Sequence, residues 1–205
     1  MFSVFLKGLK HEVGAGLPIT FGTSSFYSVW EEACREVFEK NLDDPIEGFS
    51  LTSGKLKSYI KSPVWYGADD RGEFYRIGSS TLLPDIVFGE RGVVLSLFIL
   101  DAKYYNFRFV RGKNPDRAPD IPDISKQFLY SLALRGAYND FPISSTKNCF
   151  LFPSQDSGVR NLGEVSWNIF DQMGLERIQL RSISVETVFS AVLQGKRLDS
   201  SLLEL

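Results

Sequence analysis

Two aspartates and a lysine interrupt an otherwise largely apolar stretch of the sequence between residues 82 and 107. Asp85 follows a proline near the start of this stretch, and Asp101 with Lys103 ends the uncharged run "VVLSLFIL". A buried charged group is costly unless another group pairs with it. Side chains two residues apart leave the same face of a strand, so we expect Asp101 and Lys103 to lie together.

Metal-assisted hydrolysis of a phosphodiester is the chemistry that these residue types favour. Mg²⁺ binds oxygen ligands, commonly one or two carboxylates with waters and substrate phosphates, and we expect Mn²⁺ to substitute for it. Asp85 and Asp101 would supply carboxylates, and Ala102 would offer its carbonyl oxygen. Lys103 could hold a water nucleophile or stabilise charge on the phosphate. The alternative is that Asp101 and Lys103 only form the solvated end of a strand, because a D-x-K triplet alone is a weak signal.

A helix before this stretch carries a candidate supporting acid. Apolar spacing in "SSFYSVWEEACREVFEKNL" predicts an amphipathic helix with Ser24 or Ser25 as its cap. Glu31 lies on the border of the apolar stripe and could reach a site at the edge of the sheet, whereas Glu32 faces away. An ordinary flanking surface glutamate is an equal alternative for Glu31.

A helix after the stretch carries a candidate polar helper. Asp123 is expected to cap "ISKQFLYSLALRGAY", in which Ile124, Phe128 and Leu132 face inward. Gln127 and Tyr130 are three residues apart and share a face. They could orient a water or a phosphate, or simply form a polar shoulder of the helix.

The remaining patterns predict a mixed sheet with flanking helices. Short strands are expected in "GFSLTSGKLKSYIKSPVWYG", "GEFYRIG", "NCFLFPS" and "ERIQLRSI", while "VSWNIFDQMG" is ambiguous. A closing helix, "SVETVFSAVLQGK", is expected to begin after Ser184 and to end at Gly195. This order of elements predicts an α/β fold.

The turn between the two apolar segments decides whether the aspartates can meet. A symmetric hairpin around residues 89–92 would place Asp85 opposite residue 96, which leaves Asp101 about 16 Å further along the strand. Carboxylates that far apart cannot share a metal. The site therefore requires a connection centred nearer Gly92 and Val93, or strands that cross sharply.

Length and composition limit the possible functions. The chain has 205 residues, 43% of them apolar, and a net charge of −2, which fits one folded domain with no global field for nucleic acid. A single histidine, His11, argues against a Ser-His-Asp triad or a His-rich zinc site. Two cysteines in apolar surroundings, Cys34 and Cys149, favour buried thiols in a reducing compartment. No signal peptide and no membrane span are evident, so we expect a cytoplasmic protein.

The loop over residues 106–122 could contact a polyanion. It contains four cations interleaved with two aromatic residues: Arg108, Arg111, Lys113 and Arg117 with Phe107 and Phe109. Cations beside a phosphodiester site would add salt-dependent affinity for a nucleic-acid backbone. The alternative is a solvated loop balanced by Asp116 and Asp120.

Together these motifs resemble the PD-(D/E)xK nuclease superfamily. The likeness rests on "PD" ending at Asp85, "DAK" from Asp101 to Lys103, a preceding helix with an acid, and a following helix with "KQFLY". More narrowly, "FYSVWEEAC", "LLPDIVF", "ILDAKYY" and "KQFLYSLAL" resemble the LlaJI-type restriction endonucleases, which are related to the McrC nuclease subunit of McrBC-type systems. The similarity covers roughly residues 26–153.

The resemblance implies a restriction-endonuclease-like mixed β-sheet flanked by helices over residues 23–205, after a lead-in or linker over residues 1–22. It implies Asp85 and Asp101 as metal ligands, Lys103 as the catalytic lysine, Glu31 as a supporting acid and metal ligand, and Gln127 as a helper. It also implies Mg²⁺-dependent cutting of double-stranded DNA with an AAA+ partner that hydrolyses GTP, as McrB does.

Several alternatives remain open at the level of sequence. No P-loop motif is present, so a nucleotide-driven step must come from another chain. The chain could also be an inactive nuclease-like assembly or DNA-binding module, or a repair or RNA nuclease of the same superfamily. A homodimer, or assembly through the partner, is possible.

Overall fold

The computed structural model describes residues 26–38, 56–91 and 93–205. The expected lead-in over residues 1–22 and the expected caps Ser24 and Ser25 lie outside these ranges. The boundary between residues 22 and 23 therefore stays a prediction.

Five helices and seven strands make up the described part of the chain. The helices are α1 (Phe26–Phe38), α2 (Ile121–Leu134), α3 (Ala137–Asp140), α4 (Asn168–Gln172) and α5 (Val185–Gln194). The strands are β1 (Val64–Asp69), β2 (Gly72–Ile77), β3 (Ile86–Arg91), β4 (Leu95–Ala102), β5 (Ile143–Ser154), β6 (Val159–Val165) and β7 (Ile178–Ser184). Two 3₁₀ helices span Leu56–Tyr59 and Ser200–Leu203.

The central sheet has five strands in the order β3-β4-β5-β7-β6. Its three inner strands, β4, β5 and β7, are parallel, and the edge strands β3 and β6 run antiparallel to their neighbours. Strands β1 and β2 form a separate antiparallel hairpin. The predicted α/β fold with a mixed sheet is confirmed.

Helices cover both faces of this sheet. On one face, α1 and α5 pack over β3, β4, β5 and β7 in a cluster that includes Trp30, Ile86, Leu100 and Val188. On the other face, α2 and the first 3₁₀ helix pack over Val87, Leu97 and Ile99. Successive residues of β3 and β4 thus enter opposite cores, as strand geometry requires. The result is a three-layer arrangement.

The β3–β4 hairpin has the off-centre register that the site requires. Ile86 pairs with Leu100 and Arg91 pairs with Leu95, so the register is centred on residue 93. Extending it by one residue brings Asp85 opposite Asp101. The symmetric turn around residues 89–92 is excluded, and the expected connection nearer Val93 is confirmed.

The closing helix matches its sequence signals. Ser184 caps α5 and its side chain accepts a hydrogen bond from the Thr187 N–H. Gly195 ends the helix with φ 62°, a left-handed conformation that favours glycine. Helix α1 also matches its predicted amphipathic pattern, with Trp30, Ala33, Cys34 and Val37 buried. Its first residue, Phe26, is 39% exposed.

Two expectations about element boundaries were wrong. Helix α2 begins at Ile121, and its cap is Asp120, whose side chain accepts from the Asp123 N–H, so Asp123 lies in the first turn instead of capping the helix. Strand β5 is longer than "NCFLFPS" because its polar first half is held by side-chain hydrogen bonds, such as the one between Ser145 and Ser96 at 3.0 Å. The ambiguous stretch "VSWNIFDQMG" contains the short helix α4.

Candidate active site at the carboxyl end of the sheet

The two aspartates meet where β4 ends. Asp85 lies just before β3, and its Oδ2 accepts a hydrogen bond from the Ala102 N–H at 3.1 Å. Asp101 is buried and is the last residue but one of β4. Asp101 continues the alternation of Leu97 and Ile99, so its side chain lies on the face that α2 covers. The edge is formed by the carboxyl ends of β4, β5 and β7, where ligands of open α/β sheets commonly bind.

Lys103 connects this strand end to α2. Its Nζ lies 2.8 Å from Oδ2 of Asp101 and 2.9 Å from Oδ1 of Asp123. The Tyr105 hydroxyl donates to the other oxygen of Asp123 at 3.3 Å. Asp101 and Lys103 share a face of the strand, as the sequence predicts. The alternative that they form only a solvated strand end does not fit, because Lys103 makes two ion pairs that are largely buried.

Glu31 approaches from the opposite layer. It is half-buried on α1, whereas Glu32 is exposed and pairs with Arg35. Glu31, Ala102 and Lys103 line one cavity of about 500 Å³, together with Tyr104 and Tyr105. The border position of Glu31 on its helix thus places it beside the strand end.

Burial, and next the proximity of the other acids, raises the pKa values of the three carboxylates. Burial, assisted by the charge of Asp85, raises the pKa of Asp101 to about 6, although Lys103 opposes the shift. Burial also raises the pKa of Asp85, against the hydrogen bond from Ala102, and the charge of Glu31 adds to it. For Glu31 burial is again the largest cause, followed by the charge of Asp101. A cation would relieve this repulsion.

Lys103 is held in its charged form. Burial alone would lower its pKa, but the carboxylates of Asp101 and Asp123 outweigh burial and raise it. The ammonium group therefore stays protonated at neutral pH. It can stabilise negative charge, and it is a poor general base.

Gln127 lies in the interface between α2 and the central sheet. It is fully buried, and its Nε2 donates to the Ile99 carbonyl at 3.1 Å and to Oδ1 of Asn148 at 2.6 Å. Tyr130 donates to the Leu83 carbonyl at 3.1 Å, just before Asp85. Both side chains hold the strands that carry the aspartates, and direct contact of Gln127 with a phosphate stays a prediction.

The donor set fits a hard cation that also binds substrate. Among residues 26–38, 56–91 and 93–205, no group of three or more His, Cys, Asp or Glu side chains is arranged to hold a metal by itself. Mg²⁺ needs only one or two carboxylates, since waters and phosphates complete its shell. Asp101 Oδ2 is buried and has the Lys103 ammonium 2.8 Å away. Because an ionised carboxylate has about four lone-pair sites, Asp101 can still bind a cation beside Asp85.

Sequence reasoning missed two residues of this site. Asp123 looked like a helix cap, yet its carboxylate holds Lys103. Its spacing of four residues before Gln127 puts both on one face of α2, a signal that could have identified it. Tyr105, two residues after Lys103, could have been found by the same period-two reasoning that linked Lys103 to Asp101.

The mixed sheet with helices on both faces and an acidic site at the carboxyl ends of its strands is an α/β nuclease-type fold. The chain belongs to the LlaJI restriction endonuclease family, which matches residues 15–189. It is 34% identical over 182 residues to the type II restriction enzyme BsuMI component YdjA of Bacillus subtilis (strain 168). That alignment covers 86% of this chain and 34% of the relative, so the chain spans about a third of the relative's length. No solved structure matches the chain significantly.

The predicted resemblance to the LlaJI-type enzymes is thereby confirmed, and membership in this family supports a nuclease role. In the part of the chain that the structure describes, no helix is both long and apolar enough to cross a membrane.

Proposed function

We propose that this chain is the DNA-cutting component of a restriction system, a Mg²⁺-dependent endonuclease that hydrolyses phosphodiester bonds of double-stranded DNA. The observation that carries the proposal is the convergence at one strand end. The register of β3 and β4 brings Asp85 opposite Asp101, and Lys103 lies 2.8 Å from Asp101. The family membership supports the same reaction class.

The carboxylates are the groups that would hold the metal. Asp85, Asp101 and the Ala102 carbonyl are the proposed ligands, with Glu31 as the supporting acid from α1. Bound there, Mg²⁺ or Mn²⁺ would supply Lewis-acid polarisation of the scissile phosphate. The raised pKa values of Asp85, Asp101 and Glu31 mean that these side chains are poised to gain from a nearby positive charge.

Lys103 is proposed to stabilise the charge that develops on the phosphate. Its ammonium group is fixed between Asp101 and Asp123, so it points at a defined position with little reorganisation. Asp123 acts through Lys103 and is a positioning residue in this scheme. Gln127 is proposed as a helper that fixes β4 and β5 beneath the site.

The proposed partner is an AAA+ subunit that hydrolyses GTP, similar to McrB. One fact supports assembly with another subunit: the Bacillus subtilis relative is described as a component of its restriction enzyme. GTP hydrolysis by that subunit is what the resemblance to the McrBC-type systems implies. Assembly through that partner, or as a homodimer, is part of the proposal. A cytoplasmic location is proposed because both described cysteines are free and buried.

Plasmid cleavage tests this function directly. The chain, with its AAA+ partner and GTP, is expected to cut supercoiled plasmid with Mg²⁺ or Mn²⁺ and to stop in EDTA. Lys103→Ala should lower the rate by about 10²–10³-fold, as expected for loss of one preorganised charge stabiliser. Lys196→Ala, which removes an exposed lysine after α5, is the matched control and should cut normally.

Two results would contradict the proposal. Metal-dependent cutting that survives Lys103→Ala would overturn the role of the lysine. Absence of cutting by the complete assembly, with folded protein and every nucleotide condition tested, would favour the inactive-module alternative. If the assembly cuts RNA as fast as DNA, the proposed restriction to a DNA substrate is wrong.

A further inference from the structure

A second cavity adjoins the cavity lined by Glu31, Ala102 and Lys103, which we call the catalytic cavity, along the same edge of the sheet. It measures about 670 Å³ and lies between the segment that follows β4 and the turn between β5 and β6. Tyr104 and Tyr105 line both cavities, so the second begins where the first ends. Its floor includes Phe152 and Ser182, near the carboxyl ends of β5 and β7. The two cavities therefore lie side by side along the carboxyl ends of the strands, the first beside β4 and the second beside β5 and β7.

The charged residues that line this second cavity are mostly positive, whereas those that line the catalytic cavity, Glu31 and Lys103, balance each other. Three arginines line the second cavity, namely Arg108, Arg117 and Arg160, and Asp156 is its one acidic lining residue. We call it the arginine cleft. Arg160 pairs with Asp156 at 2.9 Å, but both side chains are more than half exposed. An exposed ion pair is weak, so a phosphate could replace Asp156 as the partner of Arg160.

The loop that carries two of these arginines is fixed to the body of the protein. Arg108 and Asp116 exchange two backbone hydrogen bonds of 3.1 and 2.9 Å. Phe107 is buried and stacks on Phe152, with ring centroids 5.2 Å apart. These contacts anchor the loop, so it is not the freely solvated loop that the sequence offered as an alternative. Arg111 and Lys113 are exposed and line neither cavity, so only part of the loop charge is directed at the cleft.

We propose that the arginine cleft binds the backbone phosphates of the DNA strand beside the bond that is cut. This inference rests on the proposed function, because it takes the catalytic cavity as the place of cutting. Arginine guanidinium groups bind phosphate oxygens bidentately, and such contacts position a duplex without reading its sequence. Tyr104 and Tyr105, both partly exposed between the cavities, would lie under the strand as it passes from Lys103 to the arginines.

Equilibrium binding tests the cleft independently of cutting. A fluorescently labelled DNA duplex is titrated with the chain in Ca²⁺ instead of Mg²⁺, over a series of salt concentrations, and a gel verifies that the duplex stays intact. The double variant Arg117→Ala, Arg160→Ala is compared with Arg71→Ala, Arg76→Ala, which removes the same charge from the exposed hairpin β1–β2. Circular dichroism checks the fold of each protein.

The cleft variant is expected to bind about tenfold or more weakly. The slope of log K against log salt should fall by about 1.8, since each lost phosphate contact removes about 0.9. The hairpin variant should keep the wild-type slope, and Arg117→Lys, Arg160→Lys should keep most of it because the charge remains.

A cleft variant that binds DNA as the hairpin variant does would overturn the proposal, and so would a wild-type chain that does not bind DNA. Failure of the proposed function looks different. In that case the complete assembly does not cut, while the arginine-dependent salt slope is still present.

Discussion

Four carboxylates surround one ammonium group at the candidate site. Asp85, Asp101, Glu31 and Asp123 each interact electrostatically with Lys103. Arg35 also attracts Glu31 and Asp85, and Lys126 attracts Glu31, but burial and mutual repulsion still raise the pKa values of Asp85, Asp101 and Glu31. Without a cation the site therefore destabilises the fold, which is common where chemistry determines the residues.

Asp101→Asn is predicted to stabilise the metal-free protein at neutral pH. The pKa of Asp101 is raised from 3.8 to about 6, which corresponds to about 3 kcal/mol at most. This shift already includes the opposing attraction of Lys103. Burial of the new amide costs part of the gain, so we expect an increase of about 1–2 kcal/mol in the free energy of unfolding. Urea denaturation in EDTA measures it.

The sign of the pH dependence makes this prediction specific. An acid whose pKa is higher in the folded state destabilises the fold once the pH exceeds its unfolded pKa, because folding then requires either uptake of a proton or burial of the charge. The advantage of Asp101→Asn should therefore be small at pH 4, grow between pH 4 and pH 6, and be complete at pH 7.5. Glu73→Gln, at an exposed site on β2, should show no such gain. A variant that is less stable than the wild type at pH 7.5 would contradict the prediction.

Helix α2 is held to the sheet by a buried polar contact. Gln127 donates to a carbonyl of β4 and to the Asn148 side chain of β5, and Asn148 in turn donates to Ser131 at 2.8 Å. Buried polar groups that lose their partners are strongly destabilising. This contact fixes Asp123 on α2 relative to Lys103 after β4.

Gln127→Leu is predicted to lower the free energy of unfolding by about 2–3 kcal/mol. The substitution keeps an apolar stem of similar size but leaves two buried acceptors, Ile99 O and Asn148 Oδ1, without this donor. Urea denaturation should be measured for Gln127→Leu, for Asn148→Leu and for the double variant. The double variant should lose less free energy of unfolding than the sum of the losses of the two single variants. Gln194→Leu, at an exposed position of α5, is the control. Strict additivity would contradict the coupling.

Elements with a strong hydrophobic period could be predicted from the sequence. Helices α1 and α5 follow a spacing of three and four residues, and β3 and β4 are apolar runs, so their types were evident. The proximity of Asp101 and Lys103 could be predicted from their spacing of two residues. The register of β3 and β4 followed from requiring that Asp85 and Asp101 meet.

Elements whose polar residues are satisfied by distant partners could not be predicted. Strand β6, "VRNLGEV", is a polar edge strand with a bulge between Asn161 and Gly163, and Gly163 has φ 118°. Nothing in its local pattern indicates a strand. The role of Asp123 could not be predicted for a related reason. Asp116, Asp120 and Asp123 each follow a proline and look alike in the sequence, and only the tertiary contact with Lys103 distinguishes Asp123.

On the scale of the whole molecule, a buried arginine ties the last residues to the sheet. Arg181 in β7 is 4% exposed and donates to the backbone carbonyls of Leu203 at 2.9 Å and Glu204 at 3.1 Å. It also donates to the Asn161 side chain at 2.8 Å. Leu203 itself is fully buried in the core under α1 and α5.

Removal of residues 200–205 is predicted to lower the free energy of unfolding by about 2–4 kcal/mol. The truncation removes the buried side chain of Leu203, and it also removes two carbonyl groups that accept hydrogen bonds from the buried, charged guanidinium of Arg181. In an Arg181→Met background the same truncation should cost less, because no guanidinium loses its partners. Urea denaturation of the four proteins measures both effects. An equal cost in both backgrounds would assign the effect to Leu203 alone.

The hairpin register has one more consequence, which concerns errors in folding. Ile86 and Phe88 belong to the core under α1, and Val87 to the core under α2. A slip of one residue would send every β3 side chain into the wrong core. The same slip would turn Asp85 away from Asp101. Hydrophobic sorting between the two cores thus favours the register that places Asp85 opposite Asp101, so a chain that folds with the wrong hairpin is expected to be unstable and to lack the candidate site.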